Sequence, residues 1–72
     1  MDSMEYAVII EGGQDGFSAY VPDLPGCVAA AATRSSVEKL IREAIALHIG
    51  LLRDRGEAVP GPTTSSLQVR IS

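Results

Sequence analysis

Two short runs near the start of the chain alternate between apolar and polar positions, which is the pattern of β-strands with one buried face. The first is residues 4–11 and the second is residues 17–21. Residues 12–16 between them, Gly-Gly-Gln-Asp-Gly, are typical of a turn. We therefore predict an antiparallel hairpin with a longer loop. Because a lone hairpin is marginally stable in water, more structure must cover it.

A pair of prolines ends the second predicted strand. Pro22 and Pro25 each fix φ and lack a backbone donor, and Gly26 can adopt the positive φ that closes such a corner. Residues 27–32, a Cys, a Val and four Ala, come next. Alanine favours helices, but the signals for a helix start come only afterwards, so we predict a third strand here. Its small side chains would let a helix or a second subunit approach the sheet closely.

Residues 34–55 have the periodicity of an amphipathic helix. Thr33 or Ser35 can cap its start, and Gly56 can end it. Ile49 lies among the polar positions. The apolar arc is wider than a three-stranded sheet needs, so we predict that the surplus, together with Ile49, contacts another subunit. The arc contains Val37, Leu40, Ile41, Ala44, Ile45, Leu47, His48, Leu51 and Leu52.

The chain ends in a connector and one more alternating run. Residues 57–66, rich in proline and threonine, are typical of an extended connector. In residues 67–72, Leu67, Val69 and Ile71 share one face, which predicts a short terminal strand that holds an oligomer together. A terminal strand frays unless it is paired. Its partner is either its own sheet or a neighbouring subunit.

In order, these elements predict a single α+β domain, β-β-β-α-β, that spans residues 1–72 and packs a three-stranded antiparallel sheet on one long helix. With 72 residues, one Phe, two Tyr and no Trp, a core of this size rarely supplies more than about 3–5 kcal/mol. One Cys and one His exclude an intrachain disulfide and a Cys/His zinc site. Self-association is the remaining source of stability, so we expect a homo-oligomer, a dimer or a tetramer.

Charge and hydropathy narrow the choice of partners. The net charge of −3 disfavours direct nucleic-acid binding and permits a basic protein partner. No apolar run approaches the roughly 18 residues of a membrane span. Asp2 and Glu5 stand where a signal peptide would carry positive charge. Since one unpaired Cys also fits a reducing compartment, we expect a cytoplasmic protein without a membrane partner.

The residues that could carry chemistry are scattered. Cys27 could be a nucleophile, but a small buried thiol is the simpler interpretation because no activating base is evident. We expect His48 to be a core or interface residue. Glu5 and Glu11 lie about 20 Å apart along one strand, too far to share a metal ion. We therefore expect no catalytic residue, no metal site and no cofactor, and hence no enzyme.

Residues 20–25 are the segment that we single out for binding. They combine an aromatic side chain, two prolines and a protruding Leu flanked by an acid on a rigid loop, which loses little entropy on binding. The alternative is a turn that only fixes the strand crossing. We predict that the surface facing a partner comprises Tyr20, Pro22, Asp23, Leu24 and Pro25.

The string Phe-Ser-Ala-Tyr-Val-Pro-Asp-Leu-Pro-Gly-Cys, residues 17–27, resembles the signature of the HicB-like antitoxin family. The similarity continues through Thr33, through Arg-Glu-Ala-Ile-Ala-Leu-His at residues 42–48 and through Gly-Glu-Ala-Val-Pro at residues 56–60. It covers residues 4–62 without a gap.

The resemblance implies a partial RNase H-like fold that assembles into dimers or larger oligomers. It also implies an antitoxin that binds a small basic HicA-like ribonuclease toxin and covers its catalytic surface. The family commonly has Gly-Asp where this chain has Ala31 and Ala32, which alters the turn before the helix. Family members usually add a helix-turn-helix or ribbon-helix-helix domain that binds their operator, and we expect no such DNA-binding domain here. The alternative function is an orphan homo-oligomeric binding or scaffold module without a toxin.

Overall fold

Three short strands form the sheet. In the computed structural model, which describes residues 4–71, β1 (Ile9–Gly13), β2 (Gly16–Tyr20) and β3 (Val28–Ala31) lie in the order β1-β2-β3, each antiparallel to its neighbour. The predicted hairpin and third strand are confirmed. The longer hairpin loop is wrong, because the glycines on either side pair with each other and leave only Gln14 and Asp15 in the turn.

β1 begins later than the alternating pattern indicates. Its ladder with β2 stops at the end of β2, so pairing residues 4–8 would require partners beyond Tyr20. Pro22 has no N–H to donate. The N–H of Val21 donates instead to the carbonyl oxygen of Cys27 at 3.1 Å. Residues 4–8 consequently have no regular secondary structure.

One long helix, α1 (Arg34–Asp54), packs across β2 and β3. At its start, Oγ1 of Thr33 accepts a hydrogen bond from the N–H of Ser36 at 3.2 Å. At its end, Gly56 takes φ of +70° and donates its N–H to the carbonyl oxygen of Arg53 at 3.1 Å. The predicted helix, the cap at Thr33 and the glycine stop are confirmed.

The core lies between the sheet and the helix, but half of its buried residues belong to a loop rather than to a strand or to α1. Six of residues 4–71 are buried, and three of the six belong to the loop between β2 and β3, which we call the proline corner (residues 21–27). Two come from α1 and one from β2. The six are Ala19, Val21, Leu24, Cys27, Val37 and Ile41. The proline corner is therefore a structural part of the domain as well as a surface loop.

The predicted apolar arc of α1 divides into two faces. Ile45 and Ile49 are half-buried and pack against the core beside the buried Ile41. The placement of Ile49 among the polar positions is wrong, because it follows Ile41 and Ile45 by eight and four residues and so shares their side of the helix. The large apolar side chains of α1 that stay exposed are instead Leu40, Leu47 and Leu51.

After α1, residues 57–71 have neither helix nor strand. The terminal strand predicted for residues 67–72 is not found in residues 67–71, and Ser72 lies outside the described residues. Within the part of the chain that the structure describes, no strand pairs with this segment. Its apolar side chains Leu67, Val69 and Ile71 are accordingly exposed.

The fold class predicted from the sequence is confirmed, since the sheet of three antiparallel strands lies against one long helix. Of the residues described, none belongs to a helix with the length and apolar character needed to cross a membrane.

Candidate functional site

The proline corner is closed by its own backbone. The N–H of Val21 donates to the carbonyl oxygen of Cys27 at 3.1 Å, the N–H of Leu24 to that of Val21 at 3.1 Å, and the N–H of Cys27 to that of Leu24 at 3.0 Å. Gly26 takes φ of +85°, a conformation that residues with a Cβ rarely adopt. These bonds and the two fixed proline φ angles hold the corner in one shape although it is not part of a strand.

Every third residue of the proline corner points into the protein. Val21, Leu24 and Cys27 are buried, and Leu24 has 0% of its surface exposed. The prediction that Leu24 protrudes is wrong. Its N–H and its C=O both bond within the corner, and the resulting turn directs the side chain into the core. The residues that the corner leaves exposed are Pro22, Pro25 and Gly26.

Asp23 binds the connector that follows α1. Its Oδ2 accepts hydrogen bonds from the N–H of Thr63 at 2.9 Å and of Thr64 at 2.8 Å. Its Oδ1 accepts from the Oγ1 hydroxyls of the same two threonines, each at 2.8 Å. We call these four hydrogen bonds the Asp23 clasp. Both carboxylate oxygens of Asp23 therefore have partners inside the chain, so the side chain holds the connector in place.

The clasp lowers the pKa of the Asp23 carboxyl from 3.8 to about 2. The hydrogen bond from the N–H of Thr64 is the largest cause, desolvation acts against it, and the other three bonds lower the pKa further. Asp23 is consequently ionised at neutral pH. The four bonds are charge-assisted, the stronger class of hydrogen bond.

Thr63 and Thr64 were not among the residues predicted from the sequence. They follow Pro-Gly-Pro in a segment with the composition of a linker. One feature of the sequence could have indicated this contact. A carboxylate fixed in a rigid corner needs hydrogen-bond donors, and two consecutive threonines supply two N–H and two hydroxyl groups. Nothing in the local pattern says that these threonines lie next to a residue 40 and 41 positions before them in the sequence.

The connector has a second anchor on the N-terminal segment. The hydroxyl of Tyr6 donates a hydrogen bond to the carbonyl oxygen of Pro60. With the Asp23 clasp, this bond ties residues 60–64 across the end of the sheet where the proline corner lies. Beyond Thr64, no hydrogen bond to the rest of the described chain holds residues 65–71.

The sheet has an uncovered face on the side away from α1. The strand register places Ile9, Tyr20 and Val28 in one row across the three strands. Because side chains alternate along a strand, this row faces away from the buried Ala19. Tyr20 is 43% exposed and Val28 is 64% exposed. Together with Pro22 and Pro25 they form what we call the candidate surface (Tyr20, Pro22, Pro25 and Val28).

The same face becomes acidic towards the hairpin turn. A shallow depression of about 550 Å³ lies there, and its lining includes the carboxylates of Glu11 and Asp15 together with Ser18. Phe17, together with Gly16 and three alanines around the end of β3, forms the rest of the lining. The open side of the sheet therefore combines an apolar end with an acidic end, an arrangement that is complementary to a basic protein surface.

The site holds no reactive group at its centre. Cys27 is buried, as predicted for a structural thiol, and burial raises the pKa of that thiol, so it is not a thiolate nucleophile. His48 lies half-buried on α1. Among residues 4–71, no three His, Cys, Asp or Glu side chains are grouped so that they could hold a metal ion. The geometry suits binding by shape, apolar contact and charge.

Comparisons with known proteins, two of sequence and one of structure, identify relatives of this chain. Residues 6–71 match the sequence model of the HicB_like antitoxins of bacterial toxin-antitoxin systems. A chain of the HicA3 and HicB3 toxin-antitoxin complex has the same fold, with a TM-score of 0.70 and 35% sequence identity, over 83% of this chain and 70% of that chain.

An uncharacterized 14.9 kDa protein in the rep-hol intergenic region of Haemophilus phage HP1 is 44% identical over 55 residues. The match covers 75% of this chain and 41% of the phage protein, so the chain spans about two fifths of that relative. The resemblance that residues 17–27 carry is confirmed by the family match. Because that match includes nearly all the described residues, the chain belongs to the HicB_like antitoxins of bacterial toxin-antitoxin systems.

Proposed function

We propose that this chain neutralises a HicA-like ribonuclease toxin by binding it and covering its catalytic surface, without chemistry of its own. The observation that carries the proposal is the likeness to a chain of the HicA3 and HicB3 toxin-antitoxin complex, at 35% identity over 83% of this chain. The toxin would act on RNA, so we place the pair in the cytoplasm. Operator binding forms no part of the proposal.

The candidate surface is where we place the toxin contact. Tyr20 is held by its pairing in the sheet, and the two exposed prolines are held by the backbone bonds of the proline corner, so little conformational entropy is lost when a partner covers them. Tyrosine is also enriched among the residues that dominate interface energies. The acidic end of the same face and the net charge of −3 favour a basic partner. In this proposal Asp23 positions the corner, while Leu24 supports it from below.

Replacing Tyr20 with alanine is expected to weaken toxin binding by at least about tenfold, which corresponds to roughly 1.4 kcal/mol. The loss follows because the substitution removes an exposed aromatic anchor while the buried corner residues stay in place. The measurement is a titration calorimetry experiment between this chain and a purified basic HicA-like ribonuclease, followed by an assay of RNA cleavage at increasing antitoxin concentration.

Ser35→Ala is the matched control, because Ser35 is exposed at the start of α1, which packs on the opposite face of the sheet. Its affinity for the toxin should equal that of the unmodified chain. Equal binding by the Tyr20 variant would remove the candidate surface from the interface. If the unmodified chain neither binds nor inhibits the ribonuclease, the antitoxin proposal fails and the orphan homo-oligomeric module replaces it.

We also propose that the chain self-associates through its terminal segment, residues 67–71. Leu67, Val69 and Ile71 are 84%, 68% and 88% exposed. The radius of gyration is 13.7 Å, against about 11 Å expected for a compact chain of this length. An extended segment that is anchored upstream and carries apolar residues on one face can add a strand to a neighbouring subunit.

Deleting residues 67–72 is expected to lower the mass of the assembly, measured by light scattering coupled to size-exclusion chromatography. The deletion leaves the Asp23 clasp and all three strands intact, so the far-ultraviolet circular dichroism of each chain should not change. An unchanged mass would show that the terminal segment does not hold the oligomer.

A further inference from the structure

Three leucines of α1 lie in one line and stay exposed in the described chain. Leu40, Leu47 and Leu51 are 41%, 70% and 53% exposed, and Ala44, which is half-buried at the edge of the core, lies between the first two. The four positions follow one another at intervals of four, three and four residues, which is the spacing of a coiled-coil contact line. We call these four residues the leucine seam.

The seam fits a second copy of itself in the antiparallel direction. Its spacing is the same when it is read backwards, so a copy running the other way places Leu40 against Leu51 and Ala44 against Leu47. The contact between Ala44 and Leu47 then joins a small side chain to a large one, which is the arrangement that fills a helix interface best. In the parallel direction Ala44 would face Ala44 and leave a gap.

Charges along the seam agree with this direction. The first turn of α1 contains no acidic residue of its own. In the antiparallel register, Asp54 of the second copy comes beside that turn, where the helix dipole favours negative charge. Arg53 lies on the opposite side of the helix, about 150° from the seam at 100° per residue.

Gly50 keeps the Glu43 carboxylates of the two copies apart in the antiparallel register. Glu43 flanks the seam, and its nearest flanking neighbour on the antiparallel copy is Gly50 rather than the second Glu43. A Cβ at Gly50 would meet no atom of its own chain within 4 Å. The fold of the single chain therefore does not require glycine there, although glycine weakens a helix interior. Between two copies it leaves room for the Glu43 side chain.

We propose that two copies of this chain pair through α1, antiparallel, with Leu40 of each on Leu51 of the other. The inference deepens the proposed self-association and is independent of toxin binding. It gives the oligomer a twofold contact separate from the terminal segment. If the terminal contact is also twofold and its axis crosses this one at a right angle, the two contacts together close a tetramer.

The first test replaces Leu47 with glutamate in the full chain without toxin. Sedimentation velocity is expected to show an assembly of half the mass, with a dissociation constant raised at least about 100-fold. Ala46→Glu is the matched control, because Ala46 is exposed on the same helix but points away from the seam. Its assembly should be unchanged, and both variants should keep the circular dichroism of the unmodified chain.

Several outcomes would contradict the proposal that two copies pair through the leucine seam. If the unmodified chain is monomeric, or if Leu47→Glu leaves the mass unchanged, the proposal is wrong. If Leu47→Glu assembles normally but loses the toxin, the seam is a toxin contact. If only deletion of residues 67–72 lowers the mass, the terminal segment alone holds the oligomer. Ribonuclease inhibition by the Leu47→Glu chain separates the two proposals, since it should persist even where assembly is lost.

The direction of pairing is tested with engineered disulfides, leaving the buried Cys27 in place. A mixture of Leu40→Cys and Leu51→Cys chains is expected to form a mixed disulfide dimer on mild oxidation. The chain without an added cysteine should form none, which controls for Cys27. A rapid disulfide between two Leu47→Cys chains, with none in the mixture, would mean that the helices pair in parallel and would overturn the proposed register.

Discussion

Replacing Leu24 with alanine is expected to lower the melting temperature of this domain by at least about 10 °C. The side chain is fully buried, with 0% of its surface exposed. Truncating a buried Leu to Ala costs about 2–5 kcal/mol, whereas a core of this size rarely supplies more than about 3–5 kcal/mol. The loss therefore approaches the whole stability of one copy. Thermal unfolding followed by circular dichroism measures it.

Two further variants make the Leu24 experiment specific. Pro25→Ala changes an exposed neighbour in the same corner and should shift the melting temperature much less. Leu24→Asp puts a charge into the core and should abolish the cooperative transition. A Leu24→Asp chain that melts like the unmodified one would mean that Leu24 faces outwards, as the sequence alone suggests, and that the proline corner is not part of the core.

The position of Leu24 changes how binding data on this loop are interpreted. A substitution there removes support from beneath Pro22 and Pro25, so it would abolish toxin binding by unfolding the corner. Loss of binding in that variant would say nothing about direct contact. The exposed members of the candidate surface are the residues at which binding and folding can be separated, and Tyr20 is the largest of them.

Local patterns in the sequence predict the elements of this fold well. The alternation in residues 17–21, the capping role of Thr33 and the stop at Gly56 each depend on chemistry within a few residues of the position concerned. The family signature in residues 17–27 adds the family and its fold class, because the string is contiguous.

Features that depend on distant residues are not predictable in this way. Periodicity predicts a broad apolar arc on α1 but not which part of it the sheet covers. Ile49, which we expected among the polar positions, therefore packs against the core, whereas Leu47 of the arc is exposed. The backbone hydrogen bonds of the proline corner, which direct Leu24 into the core, cannot be predicted from the alternation of apolar and polar residues. The terminal run has the pattern of a strand, but a strand exists only where another strand pairs with it.

Removing the carboxylate of Asp23 is expected to release the connector. In Asp23→Ala the N–H groups of Thr63 and Thr64 lose the acceptor that each has at 2.9 and 2.8 Å. Amide hydrogen exchange measured by NMR should show both amides protected in the unmodified chain and exchanging at the rate of an unstructured peptide in the variant. Amides of the β2–β3 ladder should stay protected in both, since the ladder does not include Asp23.

The dependence of this effect on pH follows from the lowered pKa of Asp23. The folded-state pKa is about 2, below the ordinary 3.8. A group whose pKa falls on folding stabilises the fold fully above its unfolded-state pKa, and the contribution disappears as the pH drops through the folded-state pKa. The clasp should therefore act fully above about pH 4 and weaken progressively towards pH 2.

Asp23→Asn isolates that contribution because asparagine has nearly the same shape without the titrating charge. Between pH 4 and pH 2, the melting temperature of the unmodified chain should fall more steeply than that of Asp23→Asn, and the two should converge near pH 2. The remaining carboxylates titrate in both chains and cancel in the difference. Identical pH profiles, or unprotected Thr63 and Thr64 amides in the unmodified chain at pH 7, would show that the clasp does not form in solution.

Asp23 is the residue that joins the proline corner to the connector, from which the terminal segment continues. Its carboxylate lies in the corner, and its donors lie on the last anchored residues before the exposed tail. Asp23→Ala should then alter two measurements at once, weakening the assembly that depends on residues 67–71 and loosening the exposed prolines beside it. Thr63→Val with Thr64→Val keeps both N–H donors and removes both hydroxyls, so it should produce the same two changes to a smaller degree. A loss of assembly with undiminished toxin affinity in Asp23→Ala would mean that the backbone bonds of the proline corner alone hold its shape.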